Sequence, residues 1–461
     1  MPEPSEMATP IRQRAPRARS PRIRRLRDLA LRLEQPTPGG VALVVVAVAN
    51  VLVWALARPA GQPTARYAGE VCGAEAVLLF ACTLVLAMLL PAVERAFGGL
   101  DRVVVWHRRT ATAATLLLIP HVALASSTPD PYAHGIGPAL GDVALLGLLL
   151  LTLWALAPGL RAARYPGLVR RLARATYERW LTAHRLAGWF VIVAVAHGAL
   201  VDPVLRESTL LRVVFFVTGG TGILAYLYRE LFARFVVPVH DYTVADVRHP
   251  NSSTLEVSLE PSGQPLSFVP GQFVAVAFGG ANGWQRHPFS VASGASSARL
   301  ELGIKAAGDY TGSLRDSLAA GTPAKVVGPF GGFDYHGGGR EQIWIAGGIG
   351  VTPFVSWIRS FDVTFDRHVD FWHSVAHDGD AVYVDEIRQA AADHPTFVPH
   401  LVVADRDGFL TAETATAGRA SLDGVWVYLC GPQAMTDALV AGFRELGLPG
   451  SRLRWEQFAP R

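Results

Sequence analysis

Long apolar stretches with almost no charged residues fill the first half of the chain. Six of them are candidates for helices, at roughly 41–58, 71–91, 103–126, 138–157, 178–200 and 209–231. A helix of about 20 apolar residues crosses the ~30 Å hydrocarbon core of a bilayer. From residue 236 onward the sequence has the ordinary polar and apolar mixture of a water-soluble protein. The sequence therefore predicts a membrane half followed by a soluble half.

The composition excludes several classes of protein. Only 17% of the residues are charged, against about 25% in soluble domains. The three cysteines, Cys72, Cys82 and Cys430, are too few for a disulfide scaffold, a four-cysteine zinc site or a plant-type iron–sulfur cluster. The net charge is only +4, and the sequence has no stretch in which basic and aromatic residues alternate. We therefore expect no nucleic-acid partner.

Positive charges predict the orientation of the apolar stretches. Residues 1–40 carry nine Arg and four acidic residues, which is typical of a disordered basic tail. The connection 158–180 holds six Arg, whereas 127–137 holds no Lys or Arg. Because positive loops stay in the cytoplasm, we expect a multi-pass protein of the cell membrane with both termini and the soluble half in the cytoplasm.

Two of the predicted spans each contain two histidines. His107 and His121 lie in the third span, and His184 and His197 lie in the fifth. Ionisable residues inside a span are costly and mark functional sites. The 14- and 13-residue spacings separate the two levels by about 20 Å at 1.5 Å per residue. Two histidine pairs at matched depths are suited to two stacked haems, each iron with an imidazole on both sides.

The histidine spacing also has alternative interpretations. Any single histidine could simply bond a backbone carbonyl, and zinc would need ligands that two such distant pairs cannot share. A spacing of 14 residues returns to nearly the same helix face, but 13 residues fall short of it by about 140°. We therefore expect the fifth span to bend or overwind between its histidines.

Residues 236–337 predict a small antiparallel β-barrel with a flavin site. The segment HPFSVAS (287–293) puts an aromatic ring, Phe289, before a hydroxyl, Ser290. Such a pair suits a flavin, with the ring against the isoalloxazine and the hydroxyl near its N5. Further on, Lys305 precedes a Gly-Asp-Tyr-Thr turn (308–311) that opens a helix. Free N–H groups at a helix start bind pyrophosphate well.

Residues 338–461 alternate between strand and helix patterns, as in a Rossmann-like α/β domain. The segment IWIAGGIGVTPF (343–354) gives a buried strand, a Gly-rich turn and a helix start, which is the context of the dinucleotide fingerprint. A second strand ends in Cys430-Gly431-Pro432. Because parallel sheets bind ligands at the carboxyl ends of their strands, we expect both loops to face one ligand.

From about residue 41 to its end the chain resembles the NADPH oxidase and ferric reductase superfamily, as a bacterial member. The resemblance rests on the four histidines, HPFS, GDYT, GGIGVTPF and CGP, in that order. It implies a multidomain fold: a six-helix transmembrane haem domain (41–235), a ferredoxin-reductase-type FAD barrel (236–337) and a nicotinamide-binding α/β domain (338–461).

The resemblance also implies roles for individual residues. His107 and His184 would bind the inner haem, and His121 and His197 the outer one. FAD would be held by His287, Pro288, Phe289, Ser290, Lys305, Gly308, Asp309 and Thr311. NADPH or NADH would be held by Gly347, Gly348, Gly350, Val351, Thr352, Pro353, Cys430, Gly431 and Pro432. Ser290 and Cys430 would act at the reacting rings, and Phe458 would cover the flavin until nicotinamide displaces it.

One position departs from the family. Related enzymes pair the 2′-phosphate of NADP with an arginine where this chain has Ala376, and the nearby Arg406 is flanked by Asp405 and Asp407. The choice between NADPH and NADH is therefore left open.

The expected function is electron transfer from cytosolic NAD(P)H through FAD and two b-type haems to an extracytoplasmic acceptor. Because the outer loops are short, the expected acceptor is small, with oxygen, giving superoxide, ahead of a ferric chelate. A quinone, a periplasmic protein partner and a transporter with proton-relaying histidines are the alternatives.

Overall fold

The computed structural model describes residues 37–88, 90–125, 135–160, 177–232, 238–280 and 284–458. Most of the predicted basic tail, most of the Arg-free connection 127–137 and most of the Arg-rich connection 158–180 lie outside these ranges. The helical half contains α1 (Pro38–Leu56), α2 (Thr64–Leu86), α3 (Pro91–Phe97), α4 (Leu100–Ala125), α5 (Gly137–Leu160), α6 (Tyr177–His184), α7 (Leu186–Val201), α8 (Pro203–Glu207) and α9 (Thr209–Leu227). Helix α1 begins at Pro38, after a Thr37 cap whose hydroxyl accepts from the Gly40 N–H at 3.1 Å.

Five helices in the described ranges are long and apolar enough to cross a membrane. They are Pro38–Leu56, Thr64–Leu86, Gly137–Ala155, Trp180–Val201 and Thr209–Phe232. The third predicted span is a 26-residue helix, α4, but it is not among them. Arg102, Arg108 and Arg109 lie in its first half and lower its apolar character. The prediction of six apolar spans is therefore not confirmed, although all six stretches contain helix.

The helix through His184 and His197 is interrupted between them. Helix α6 ends at His184 and α7 begins at Leu186, so the break falls at Arg185. The Arg185 guanidinium donates to the Glu230 carboxylate just beyond α9. Arg185 itself keeps helical dihedral angles, with φ of −60° and ψ of −24°. The bend or overwinding expected between the two histidines therefore stays a prediction.

Helix α2 is the most buried part of the helical half. It packs against α1, α4 and α9, while α5 packs against α7. A polar pair lies inside this packing, since the Asn50 side-chain amide donates to the Glu75 carboxylate at 2.8 Å. Leaving a buried acceptor of this kind without a donor would cost about 1–3 kcal/mol or more.

The C-terminal half begins with a closed antiparallel barrel. Its strands are β1 (His240–Asn251), β2 (Thr254–Pro261), β3 (Phe273–Phe278), β4 (His287–Ser290), β5 (Leu300–Lys305) and β6 (Pro323–Phe330), with helix α10 (Asp309–Ser317) after β5. The strand order is β4-β3-β6-β1-β2-β5, and a bridge between Val291 and Leu302 joins the two edges. Alternate apolar residues such as Val257, Leu259 and Val276 are fully buried in the interior, as the pleat of a strand requires.

A five-stranded parallel sheet follows the barrel. Its elements are β7 (Glu341–Gly347), α11 (Thr352–Ile358), β8 (His368–Val375), α12 (Val384–Asp393), β9 (Phe397–Val403), α13 (Ala404–Asp407), α14 (Ala412–Ala415), β10 (Trp426–Pro432), α15 (Gln433–Glu445) and β11 (Leu453–Phe458). The order is β11-β10-β7-β8-β9. This agrees with the predicted α/β class, because parallel strands need helical crossovers.

The two halves touch at the turn after β6. The carboxylate of Glu94, on α3, accepts from the Gly331 N–H at 2.8 Å. Next to it, the Arg102 guanidinium lies 5.7 Å from the centre of the Trp455 ring on β11. The start of α4 therefore lies beside the C-terminal half.

Candidate functional site

The four predicted histidines form two facing pairs. The ring centres of His107 and His184 are 6.1 Å apart, and those of His121 and His197 are 6.4 Å apart. The ring planes cross at 69° and 83°. A metal-bound imidazole nitrogen lies about 2 Å from the ion. With about 1 Å more from nitrogen to ring centre, two imidazoles on opposite sides of one ion have centres about 6 Å apart. Both separations fit an ion held between the rings.

Backbone carbonyls fix the second ring nitrogen of three of these histidines. Nδ1 of His107 lies 3.0 Å from the Thr83 carbonyl oxygen, and Nδ1 of His121 lies 2.9 Å from that of Gly69. Nδ1 of His197 lies 2.8 Å from the Gly137 carbonyl. Such a bond keeps the proton on Nδ1 and leaves Nε2 to bind a metal, the arrangement that metal-ligating histidines use.

Glycines in the facing helices leave room for two of the rings. A Cβ atom on Gly73 would lie 2.7 Å from the His121 ring, and one on Gly141 would lie 2.7 Å from the His197 ring. Larger residues would displace these rings. On the other level, Trp180 stacks on His184 with ring centres 5.0 Å apart.

Two imidazoles per level are a metal site only if other ligands complete it. Among the described residues no three or more His, Cys, Asp or Glu side chains group together as a metal site. Structural zinc sites take four protein ligands, so each pair suits an ion whose remaining ligands come from a bound group. A porphyrin provides such ligands and leaves two axial positions for histidines.

In the barrel, Ser290 provides an unused polar atom. Its hydroxyl is buried and has no hydrogen-bond partner among the described residues. A buried hydroxyl without a partner costs free energy, and a flavin nitrogen would relieve that cost. Ser290 pairs with Phe273 on β3, and Phe273 pairs with Phe330 on β6. Ser290, on β4, thus lies two strands from β6, whose following turn contacts Glu94 through Gly331.

Phe289 does not share the face of Ser290. It is 8% exposed and packs in the barrel core, because neighbours on a strand point to opposite faces. Pro288 is on the same face as Ser290 and is exposed. The ring of His287 instead stacks on Tyr310 at 3.7 Å between centres. The expected stacking of Phe289 on a flavin remains a prediction.

The predicted pyrophosphate turn has the local structure that its sequence favours. Helix α10 begins at Asp309 after Gly308, and the Thr311 hydroxyl accepts from the N–H groups of Ala307 and Gly308 at 3.0 and 3.2 Å. Lys305, at the end of β5, lies 3.8 Å from the Asp380 carboxylate of the parallel-sheet domain.

The two predicted nucleotide loops touch each other. The turn Gly348–Val351 follows β7, and its Gly350 approaches the end of β10 so closely that a Cβ there would lie 2.3 Å from the Cys430 carbonyl. Gly347 is similarly close to Pro432, with 2.8 Å from a built Cβ to the proline ring. Thr352 and Pro353 begin α11 directly after the turn. The structure therefore brings together the segments that the sequence predicts for nicotinamide binding.

Cys430 is buried under this site. The thiol is 1% exposed, and burial, with the nearby Glu456 carboxylate, raises its pKa well above the usual value. The sulfur is therefore a neutral thiol at neutral pH and not a nucleophile. The backbone of Phe458 pairs with Pro432 at the end of β11, which puts this residue beside the Cys430–Pro432 loop.

Two features of this region were not predicted. His373 on β8 is 3% exposed, and its Nε2 lies 3.1 Å from the Gly348 carbonyl. Arg359, after α11, donates to Glu386 at 2.6 and 3.0 Å and to the Ala292 carbonyl at 3.1 Å, and it also bonds Glu301 of the barrel. Burial would lower the pKa of Arg359, but Glu386 and Glu301 raise it above its ordinary value. This arginine connects the barrel to the parallel-sheet domain.

Comparisons with known proteins identify the two domains of the C-terminal half. Residues 239–329 match the family described as an FAD-binding domain, and residues 344–441 match the oxidoreductase NAD-binding domain. The electron transfer component of toluate 1,2-dioxygenase from Pseudomonas putida is 28% identical over 228 residues, which cover 47% of this chain and 66% of that protein.

Two further relatives belong to other systems. The reductase subunit of an aromatic O-demethylase from Amycolatopsis is 32% identical over 216 residues, 43% of this chain and 63% of that protein. A flavohemoprotein from Burkholderia is 24% identical over 209 residues, 43% of this chain and 53% of that protein. The chain thus spans between about half and two thirds of these relatives. Residues 239–441 therefore contain an FAD-binding domain followed by an NAD-binding domain, the ferredoxin-reductase-like module that many oxidoreductases share.

Proposed function

We propose that the chain transfers electrons from a reduced nicotinamide dinucleotide, by way of FAD and two b-type haems, to a small acceptor on the far side of the cell membrane. When bound, FAD takes a hydride and releases single electrons, and bis-histidine haem carries single electrons without binding a ligand at iron. The C-terminal half would lie in the cytoplasm, and the helices would cross the bilayer.

The proposal rests mainly on one observation: the four histidines face each other in two pairs. The ring centres lie 6.1 and 6.4 Å apart, and carbonyls hold Nδ1 of three rings. Each pair would therefore hold one haem iron through its Nε2 atoms. An isolated polar histidine would not require a second histidine opposite it at that distance. Five helices with the length and composition of membrane spans supply the surroundings.

The contact between the halves supports the direction of electron flow. Arg102, which packs on Trp455, is five residues before His107 and nineteen before His121 on the same helix. At 1.5 Å per residue these positions lie about 8 Å and about 28 Å along α4. The pair His107–His184 is thus nearer to the FAD-binding module and would receive electrons first.

The acceptor we propose is oxygen, with superoxide as the product. Between α7 and α9, near His197, the chain contains only Asp202, the five-residue helix α8 and Ser208. So short a segment offers little surface for docking a protein. A ferric chelate is the alternative acceptor that an experiment must separate from oxygen.

The test uses the purified full chain in lipid nanodiscs, loaded with haem and FAD and supplied with NADH or NADPH. We expect oxygen uptake and superoxide release that ferric citrate does not increase. Uptake only at background level, with ferric reduction when citrate is added, would make the protein a ferric reductase. In His121→Leu we expect loss of oxygen uptake but normal reduction of ferricyanide, which takes electrons at the flavin. His249→Leu, an exposed residue of the barrel, is the matched control.

A further inference from the structure

Several charged side chains lie at the edge of the parallel sheet where the carboxyl ends of β8 and β9 meet. We propose that this chain uses NADH in preference to NADPH, and that Asp378 and Asp405 reject the 2′-phosphate. The inference rests on the proposed function, since it concerns the donor at the same nucleotide site.

The relevant loops lie beside the Gly-rich turn. Strand β8 is the direct neighbour of β7, and β9 follows β8, with all three strands parallel. Their carboxyl ends therefore meet at one edge, where such sheets bind dinucleotides. The loop after β8 (376–380) lies next to the turn that begins at Gly348, and α13 (Ala404–Asp407) lies next to that loop. The N–H of Asp405 donates to the Ala376 carbonyl at 3.3 Å, which joins the two.

The adenosine ribose of a dinucleotide reaches this side of the turn. In Rossmann folds an acidic side chain at this edge bonds the ribose 2′-hydroxyl of NAD, whereas an arginine accommodates the 2′-phosphate of NADP. Here the first residue after β8 is Ala376, which has no charge and no donor beyond its backbone.

The positive charge of Arg406, the arginine closest to this loop, is already paired with carboxylates. Arg406 donates from Nε and an Nη to Asp407 at 2.9 and 3.0 Å and lies 3.8 Å from Asp378. The Asp407 carboxylate also accepts from the Val403 N–H at 2.9 Å, which fixes the pair in place. Turning this guanidinium toward a phosphate would separate it from a carboxylate that holds it with two hydrogen bonds.

Two other basic side chains near the loop also have carboxylate partners. Nδ1 of His377 lies 2.5 Å from Asp405, and Lys305 lies 3.8 Å from Asp380. Asp378 and Asp405 remain 80% and 68% exposed at the side chain. A ribose hydroxyl can donate to either carboxylate, while a phosphate dianion would meet like charge. Electrostatic mismatch of this kind acts mainly on specificity.

The test is the steady-state reduction of ferricyanide by the FAD-loaded full chain with each donor. We expect kcat/KM for NADH to exceed that for NADPH at least tenfold, with most of the difference in KM. In the double variant Asp378→Ser/Asp405→Ser, kcat/KM for NADPH should rise at least fivefold, and the ratio of kcat/KM for NADPH to that for NADH should rise by at least the same factor. Asp423→Asn, exposed before β10 at the opposite edge of the sheet, should leave both values unchanged.

A wild-type chain that uses NADPH as well as NADH, or better, would overturn the donor proposal and leave the proposed electron transfer intact. A double variant with an unchanged donor ratio would overturn the assignment to these two aspartates. Failure of both donors to reduce ferricyanide would contradict the proposed function itself.

Discussion

His373 and Gly348 are joined across two strands: Nε2 of the buried imidazole lies 3.1 Å from the glycine carbonyl oxygen. Gly348 has φ of +53°, a left-handed backbone that glycine adopts easily, and it opens the turn against Cys430. The imidazole therefore holds one peptide of the predicted nucleotide-binding turn in a fixed orientation. His373 is a positioning residue, because it acts through the backbone of the turn.

Replacing His373 should weaken donor binding more than catalysis. His373→Phe removes the N–H that bonds the Gly348 carbonyl. Because the lost hydrogen bond is worth about 1 kcal/mol, we expect KM for NADH to rise about fivefold. His373→Gln can still donate and should recover most of the affinity. Ferricyanide assays give both constants. A fall in kcat with unchanged KM in His373→Phe would contradict the positioning role.

The same residue predicts a pH dependence of stability. Burial lowers the pKa of His373 from 6.5 to about 4, so the folded state holds a neutral ring. The free energy of unfolding is unaffected by this group above pH 6.5. Below that pH the unfolded chain takes up the proton first, so the free energy of unfolding falls progressively toward pH 4, by about 3 kcal/mol in all. The midpoint temperature of FAD release should fall more steeply between pH 6.5 and 4.5 in the wild type than in His373→Gln. Parallel pH curves for the wild type and His373→Gln would contradict the proposed titration of His373.

Glu94 should matter for transfer between the halves and not for the flavin reaction. Glu94→Ala removes a charged acceptor from the Gly331 N–H, a bond worth about 2 kcal/mol, and Gly331 itself has φ of +96°. We expect NADH-driven haem reduction to slow about tenfold while ferricyanide reduction stays normal. The control is Glu207→Ala, because the Glu207 carboxylate accepts a hydrogen bond from the Gln62 amide within the helical half. Equal slowing of both reactions by Glu94→Ala would disprove the assignment.

Arg359 should stabilise the two-domain module. Arg359→Gln leaves the Glu386 and Glu301 carboxylates close together without a counter-charge, a loss of about 3 kcal/mol that lowers the FAD-release midpoint by about 9 °C. Arg388→Gln is the matched control, because its pair with Asp385 is exposed and is worth less than about 1 kcal/mol. A change of the same size in both variants would show that the Arg359 contacts add nothing specific.

Local patterns predicted much of this molecule. Helix geometry and the spacing of His107, His121, His184 and His197 predicted which rings face each other. Strand and turn patterns predicted the barrel, the parallel sheet and the meeting of Gly350 with the Cys430 loop. These features depend on periodicity and on short motifs, which a sequence displays directly.

The remaining features depend on contacts between distant segments. Glu94 and Gly331 are 237 residues apart, and Arg359 combines partners from two domains. His373 lies in an ordinary alternating strand, so nothing in its neighbourhood signals that Gly348 is its partner. Phe289 was assigned to the flavin together with Ser290, although the pleat of β4 sends adjacent side chains to opposite faces. Strand geometry therefore separates the two residues, and the contact of Phe289 with a flavin stays a prediction.

The central claim is that the paired histidines hold two haems in electronic contact with the flavin module. The most direct measurement is the haem and FAD content of the purified full chain, followed by its absorption spectrum after anaerobic addition of NADH. The account predicts two haems and one FAD per chain, low-spin bis-histidine spectra, and reduction of both haems by NADH. A chain that binds FAD and oxidises NADH but contains no haem, or haem that NADH does not reduce, would contradict it.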